Sequence, residues 1–150
     1  ASDVYKRQGS RYVSGGSVVN WPKSREFISR GGGAWTRLML GIDVKDPTGG
    51  FNAFRAATLR TINLATVDSA GYCFQLDMTW RVLKAGGVVA EVPITFVERE
   101  RGASKMSKDI VVEAMAQTTR WGVEHRAKQV SHVADKLAGK TSEVIKQFRR

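Results

Sequence analysis

Apolar residues recur at helical spacing in three stretches of the chain. Residues 23–40, 72–85 and 107–126 each carry apolar side chains three or four positions apart, which places them on one face of a helix. Three consecutive glycines, Gly31–Gly33, interrupt the first stretch, and each glycine inside a helix costs about 1 kcal/mol relative to alanine. The pattern therefore predicts three amphipathic helices, the first with a kink or a break at the glycines.

Segments with strand character are fewer. Residues 50–55 fit a short strand, and residues 88–97, which are rich in branched side chains, fit a longer one. Residues 56–62 predict a short helix between them. Because two strands do not make a sheet that buries both faces, the pattern predicts part of an α/β domain.

The two ends of the chain lack a clear apolar pattern. Residues 1–8 show no periodicity and are interpreted as a loop, either a leader outside the domain or a cloning artefact. Residues 9–22 are rich in glycine and serine and close on a proline, which predicts a long loop, and long loops on compact domains are commonly functional. Residues 127–150 predict a basic, helical tail.

Composition narrows the class of protein. The 150 residues are enough for one domain, and 24 Lys and Arg against 14 Asp and Glu give a net charge of +10. A single cysteine, Cys73, and two histidines exclude a disulfide framework and a cysteine-rich zinc module. Cys73 has no basic neighbour in the sequence, so a buried, unreactive thiol is expected. The positive charge predicts an anionic partner: nucleic acid, a phosphorylated small molecule or an anionic membrane surface.

Basic side chains near the start of the first predicted helix suggest a phosphate site. Arg25 and Ser29 are four residues apart and share a helical face, and Arg11 lies in the loop before them. An arginine fork, a hydroxyl and the amides of a helix start suit a phosphate group. Arginines that are simply solvated explain the same spacing, and spacing alone favours that alternative.

A second basic segment follows the longer predicted strand. Arg99, Ser104 and Lys105 surround Gly102, and such a loop would offer mobile donors to a diphosphate. A solvated turn of mixed charge fits the composition equally well.

Three further polar residues have two interpretations each. Asp46 precedes a tight Thr-Gly-Gly turn, which favours a turn-closing acceptor over a sugar-binding carboxylate. Gln75 and Asp77 lie on a predicted amphipathic helix, where polar side chains either line a pocket or, more commonly, face water.

Four segments together carry a resemblance to a known family. Residues 9–30 (GSRYVSGGSVVNWPKSREFISR), 46–55 (DPTGGFNAFR), 71–81 (GYCFQLDMTWR) and 91–107 (EVPITFVERERGASKMS) occur in this order and at these spacings. They resemble the polyprenol-phosphate (dolichyl-phosphate) mannose synthases, which are inverting family-2 glycosyltransferases with the GT-A, Rossmann-like fold. The resemblance covers residues 9–126 and is closest to actinobacterial members.

The resemblance implies a partial domain. Members of the family begin with a nucleotide-binding half whose Asp-x-Asp motif holds Mg²⁺ or Mn²⁺, and no Asp-x-Asp occurs in this chain. Residues 9–126 are therefore expected to be the carboxyl-terminal part of the domain, without the amino-terminal half and inactive by themselves.

The resemblance also implies a reaction and a site. Mannose would pass from GDP-mannose to a polyprenyl phosphate with inversion, and the acceptor phosphate, already anionic, would need no general base. By family position Arg11, Arg25 and Ser29 would hold the acceptor phosphate. Arg99, Ser104 and Lys105 would close on the diphosphate or the acceptor, and Asp46, Gln75 and Asp77 remain candidates for sugar or turn contacts.

A lipid acceptor implies a location at the membrane. The chain is expected to lie peripherally on the anionic cytoplasmic face of the cell membrane, with a separate membrane-anchoring subunit or domain as a further partner. Two alternatives stay open. One is a related enzyme that transfers glucose or another sugar to the same carrier. The other is a basic nucleic-acid-binding module with Tyr12, Trp21 and Trp35 as stacking surfaces.

Overall fold

The computed structural model describes residues 4–67, 69, 71–98 and 108–148. The predicted α/β class is confirmed, with strands and helices alternating along the chain. In chain order the elements are β1 (Val4–Ser10), β2 (Ser17–Val19), α1 (Lys23–Leu40), β3 (Asn52–Phe54), α2 (Ala56–Thr61), a 3₁₀ turn (Leu64–Thr66), α3 (Gly71–Lys84), β4 (Val88–Pro93), β5 (Thr95–Val97) and α4 (Lys108–Phe148).

The strands form one mixed sheet and one short ribbon. Strand β1 lies at the centre of the sheet, antiparallel to β3 and parallel to β4, in the order β3-β1-β4. The ribbon pairs β2 with β5 in parallel, with Val18 opposite Phe96. The predicted strand over 88–97 is thus two strands separated at Ile94, each belonging to a different sheet.

The central strand falls where a loop was expected. The expectation for residues 1–8 is wrong over the described residues 4–8, because β1 runs from Val4 to Ser10. Lys6 and Gln8 are each 1% exposed, and the Lys6 ammonium donates to Gln8 Oε1 and to Thr79 Oγ1. Burial lowers the pKa of Lys6 from 10.5 to about 7, against an opposing effect of the negative Glu91. Whether these residues are a leader or an artefact stays a prediction. The loop predicted over 9–22 is also shorter than expected, because it contains the end of β1 and all of β2.

Helix α1 passes through its three glycines without a break. It is continuous from Lys23 to Leu40 and ends at Gly41, whose φ of 67° is left-handed and whose N–H donates to Arg37 O at 2.8 Å. The predicted kink is therefore wrong. Packing explains the difference, since tertiary contacts along a helix readily outweigh the intrinsic cost of glycine.

Helices α1 and α4 lie side by side. The Trp35 indole N–H donates to Thr119 Oγ1 at 3.2 Å, and Arg126 Nη2 donates to Leu38 O at 2.8 Å. At Gly122 the backbones approach so closely that a Cβ would overlap the carbonyl oxygen of Met39. Helix α4 joins the helix predicted at 107–126 to the tail, so the helical prediction for the tail is confirmed as far as Phe148.

The core lies between α3 and the sheet. Met78 and Val82 of α3 pack with Ile62, and Tyr5, Phe54 and partly buried neighbours complete the cluster. Helix α3 matches the predicted amphipathic helix closely. Among the described helices, none combines the length and the apolar character that a membrane span requires.

Candidate functional site

The loop between α1 and β3 is held in place by one carboxylate. Glu91 of β4 accepts a hydrogen bond from the backbone N–H of Lys45 at 2.7 Å and another from that of Asp46 at 2.8 Å. Two successive amides bound to one carboxylate fix both the position and the direction of the loop. Glu91 thereby sets where the side chain of Asp46 points.

Asp46 in turn fixes Arg11. Its carboxylate has no exposed surface and accepts from the backbone N–H of Arg11 at 2.9 Å, from Nε at 2.7 Å and from Nη2 at 2.6 Å. Arg11 Nη2 also donates to Thr48 Oγ1 at 3.0 Å. The backbone carbonyl of Asp46 closes the turn by accepting from Gly49 N at 3.0 Å. Asp46 therefore acts as an anchor for Arg11, and in this structure its carboxylate offers no surface to a sugar.

Two aromatic rings, those of Trp21 and Phe96, lie close to the arginines. They meet edge to face with their ring centroids 5.4 Å apart. The guanidinium of Arg25 lies 4.2 Å from the Trp21 ring, and that of Arg11 lies 5.2 Å from the same ring. Both arginines thus make cation–π contacts with the Trp21 ring.

Arg25 also pairs with a carboxylate. Its Nη1 donates to Glu98 Oε2, and the side chains of Arg25 and Glu98 are 21% and 27% exposed. Two N–H groups beside this pair, Arg25 Nε and Trp21 Nε1, are buried and have no hydrogen-bond acceptor in the described part of the chain. Buried donors without a partner are costly, so an acceptor atom that reached these two N–H groups would gain free energy.

Ser29 joins the same cluster through Tyr12. The Tyr12 hydroxyl donates to Ser29 Oγ at 2.7 Å, while the guanidinium groups of Arg30 and Arg11 lie 4.5 and 5.1 Å from the Tyr12 ring. The structure therefore brings the predicted residues Arg11, Arg25 and Ser29 together, and the alternative of simply solvated arginines is wrong for Arg11 and Arg25.

An apolar cleft opens beside Ser29. It lies between α1 and α4 and is partly open to solvent, and Ser29 and Thr48 are among the residues that line it. Its apolar lining consists chiefly of Ile28, Leu76, Ile110, Val111, Ala114 and Met115. Sequence reasoning predicted this region of α4 as an amphipathic helix and did not predict the cleft. The available signal was the surplus of apolar helix surface over the two predicted strands.

Gln75 and Asp77 have structural partners other than Arg11 and Arg25. Gln75 Oε1 accepts from Asn52 Nδ2 at 2.6 Å. Asp77, which is 7% exposed, accepts from Arg81 Nε at 2.7 Å and from Ser69 Oγ at 2.9 Å. The expectation that both face water is wrong for Asp77, because its ion pair with Arg81 is largely buried.

Comparison with known proteins identifies relatives for most of the chain. No family model matches. Over 118 residues, 79% of the chain, it is 54% identical to undecaprenyl-phosphate mannosyltransferase of Micrococcus luteus and 49% identical to polyprenol monophosphomannose synthase of Mycolicibacterium smegmatis. The chain is a homologue of the polyprenyl-phosphate mannosyltransferases. The match covers 49% and 44% of the two relatives, so the chain spans about half their length.

The resemblance also led us to expect a second basic segment at the site and a divalent metal ion. Arg99, Ser104 and Lys105 lie outside the described residues. Within the described ranges no group of three or more His, Cys, Asp or Glu side chains could hold a metal ion, and the Mg²⁺ or Mn²⁺ that the resemblance assigns to the amino-terminal half stays a prediction.

The three aromatic residues considered as stacking surfaces, Tyr12, Trp21 and Trp35, are each partly buried against neighbouring side chains. Trp21 is covered by Arg25 and Phe96, Tyr12 by Arg11 and Arg30, and Trp35 lies between α1 and α4 with its N–H bound to Thr119. These contacts of Tyr12, Trp21 and Trp35 give no support to the nucleic-acid alternative.

Proposed function

We propose that this chain supplies the acceptor site of a polyprenyl-phosphate mannosyltransferase. In the complete enzyme, mannose passes from GDP-mannose to a polyprenyl phosphate with inversion at the anomeric carbon. The observation that carries the proposal is the juxtaposition of the cluster of Arg11, Arg25 and Ser29 with the apolar cleft. An amphiphile with a phosphate head and an apolar tail matches both halves of that arrangement.

The arginine cluster suits the head group. Arg11 is oriented in advance by Asp46, and Arg25 Nε and Trp21 Nε1 are donors that a phosphate oxygen would satisfy after a small local rearrangement. Each charge-assisted hydrogen bond contributes about 1.5–3 kcal/mol. The phosphate oxygen is an anionic nucleophile at neutral pH, so the site has no need of a general base.

The cluster also reduces the repulsion between the two anionic substrates. Two unit charges about 5 Å apart repel by roughly 3 kcal/mol at an effective dielectric constant of 20, and both the acceptor and the sugar nucleotide carry more than one charge. Guanidinium groups at the acceptor reduce that repulsion as the two substrates approach. The divalent cation stays a prediction, and no step proposed for these residues depends on it.

The cleft suits the start of the tail. Its lining side chains on α1, α3 and α4 are mostly apolar, and Ser29, which belongs to the cluster, is one of its lining residues. A prenyl chain bound there exchanges water contact for apolar contact, which is favourable by about 25 cal/mol for each Å² buried.

The outer faces of α1 and α4 suit a membrane surface. Exposed apolar side chains recur there at intervals of eleven or seven residues, which are whole numbers of helical turns: Phe27, Leu38, Val112, Val123 and Val130. Exposed Lys23 and Arg126 add positive charge. We propose that this surface lies on the anionic cytoplasmic face of the cell membrane.

The proposal is tested by acceptor kinetics in a complete synthase that contains this segment. Arg25→Ala should raise the KM for polyprenyl phosphate at least tenfold and leave the KM for GDP-mannose within twofold, because the lost contact is to the acceptor alone. Arg120→Ala is the matched control, since Arg120 pairs with Glu124 on the exposed surface of α4. An unchanged acceptor KM in Arg25→Ala contradicts the assignment. Transfer of glucose in preference to mannose contradicts the proposed donor.

A further inference from the structure

The apolar cleft beside Ser29 has two unlike walls. Its wall on α4 consists of apolar side chains, whereas its wall on α1 carries two glycines, Gly32 and Gly33, between Ser29 and Thr36. Ser29 and Thr36 are only 6% and 4% exposed, so this wall belongs to the inner face of the helix. At the two glycines the cleft is therefore lined by the backbone of α1 itself.

Gly32 leaves a recess in that wall. A Cβ at Gly33 would lie 3.7 Å from Pro47 Cδ, in ordinary contact with the loop after α1. A Cβ at Gly32 would meet nothing within 4 Å, although the residue lines the cleft. Packing within the chain thus does not require a glycine at Gly32, and neither does its backbone conformation, because it lies inside α1.

The recess is unfavourable for the helix and suits a ligand. Glycine inside a helix is less stable than alanine, so Gly32 weakens α1 without relieving any contact in the chain. The volume that its missing side chain leaves is that of one methyl group. A small gap in an apolar wall loses its contacts unless another group fills it, and a methyl branch on a bound tail has the size to do so.

We propose that Gly32 is a specificity-determining residue whose recess receives the first methyl branch of the acceptor's prenyl chain and so favours branched tails over linear ones. The inference rests on the proposed function, in which the phosphate binds at the arginine cluster and the tail enters the cleft. It adds a selection by shape, which the charges of the arginines do not provide.

The spacing along α1 agrees with this assignment. Gly32 follows Ser29 by three residues, a rise of about 4.5 Å along the helix axis. In a polyprenyl phosphate the first methyl branch is on the third carbon from the phosphate oxygen, which is a separation of similar size. A phosphate beside Ser29, with its tail running along α1 towards Thr36, therefore brings that methyl group to Gly32. A linear tail has no group that fills the recess.

The test compares two isomeric phosphates with equal numbers of carbon atoms. Branched 3,7-dimethyloctyl phosphate and linear n-decyl phosphate are titrated calorimetrically into the complete 150-residue chain at pH 7.5. Burying one methyl group raises affinity by a factor of about four, so the parent should prefer the branched isomer by about that factor. In Gly32→Ala, whose Cβ fills the recess, the branched isomer should bind at least fivefold more weakly and the linear isomer within twofold of the parent.

Gly31→Ala is the matched control. Gly31 is exposed and is not among the described residues that line the cleft, and a Cβ there also meets nothing within 4 Å. Both alanine variants should melt at a higher temperature than the parent, because each replaces an unconstrained helical glycine. In Gly31→Ala both isomers should bind within twofold of the parent. A loss of affinity confined to Gly32→Ala is then not a consequence of damage to the fold.

The outcomes separate the recess from the acceptor site on which it rests. An equal loss for the two isomers in Gly32→Ala, or no loss for the branched one, overturns the recess even if Arg25→Ala weakens both isomers alike. Parental binding of both isomers by Arg25→Ala overturns the acceptor site, and the recess with it. In a complete synthase that contains this segment, Gly32→Ala should raise the KM for the branched phosphate at least fivefold and leave the KM for GDP-mannose within twofold. An unchanged acceptor KM also counts against the proposal.

Discussion

Asp46 and Arg11 are 35 residues apart in the sequence, yet a carboxylate with no exposed surface binds this arginine through three of its N–H groups. Ordering a long side chain on ligand binding normally costs about 0.5–1.5 kcal/mol. Because Asp46 orders the Arg11 side chain during folding, ligand binding does not carry that cost. A phosphate then encounters a guanidinium whose orientation is already fixed. The same pair links the stability of the chain to the geometry of its site.

Replacing Asp46 should therefore destabilise the fold. Asp46→Ala leaves Arg11 as a largely buried charge without its carboxylate, a loss that typically costs about 3–5 kcal/mol. Urea denaturation followed by circular dichroism measures the free energy of unfolding. Asp43→Ala is the matched control, because the Asp43–Lys45 pair is exposed and should change stability by less than about 1 kcal/mol. Equal losses for the two variants would refute the special role of the buried pair.

Two glycines of the helix pair should respond in opposite ways to the same substitution. At Gly31 a Cβ meets nothing within 4 Å, so Gly31→Ala should stabilise the chain by about 0.5–1 kcal/mol. At Gly122 a Cβ overlaps the Met39 carbonyl, so Gly122→Ala should lower the melting temperature by separating α1 from α4. Thermal unfolding of both variants decides the point, and stabilisation by Gly122→Ala would show that the helices are not so close.

Lys6 should make stability depend on pH. Burial lowers the pKa of Lys6 in the folded chain from 10.5 to about 7. Below about pH 7 both states bind the proton and the folded state carries the full penalty. As the pH rises from 7 towards 10, only the unfolded chain keeps the proton, and stability increases by at most about 1.4 kcal/mol per pH unit.

Lys6→Met isolates this contribution. The variant should be more stable than the parent at pH 7 and should lose the rise in stability between pH 7 and 9.5. Exposed Lys23 provides the control, since Lys23→Met should retain the rise. The measurement is the free energy of unfolding across that pH range, and a rise that persists in Lys6→Met would assign it to other groups.

Cys73 should be slow to react with thiol reagents. Burial first, and the negative charges of Glu113 and Asp77 next, raise the pKa of its thiol, so the reactive thiolate is depleted at neutral pH. Iodoacetamide at pH 8 should alkylate the folded chain at least tenfold more slowly than the chain in denaturant, as measured by intact mass. Comparable rates in the two conditions would place the thiol at the surface.

Local pattern predicted the helices better than the strands. Helices α3 and α4 follow from apolar spacing because packing reinforces local preference there. Strand β1 did not follow, because Lys6, Arg7 and Gln8 break the apolar pattern, and what satisfies Lys6 and Gln8 is a hydrogen-bond network that reaches Thr79 from a distant helix. Helix α1 is continuous although a break was predicted, because contact with α4 outweighs the cost of the glycines in α1.

The grouping of the candidate site residues could be predicted from the sequence, whereas their ion pairs could not, and their role in binding stays a prediction. The segments that resemble the family named Arg11, Arg25 and Ser29, and the structure groups them. Neither the pairing of Arg11 with Asp46 nor that of Arg25 with Glu98 has a local signal, because each joins residues at least 35 positions apart. The apolar cleft could not be predicted either, because side chains that line a cleft have the same apolar spacing in the sequence as side chains that fill a core.

Helix α1 has Ser29 on its inner face and Phe27, 79% exposed, on its outer face. The two faces are separated by about one helix diameter, roughly 10 Å. With the outer face resting on lipid as proposed, a phosphate at Ser29 stands only that far above the bilayer surface. The protein then shelters just the short piece of prenyl chain that crosses this gap, and the rest of the tail stays dissolved in lipid. An enzyme built on this helix should accept carriers of very different length with similar affinity.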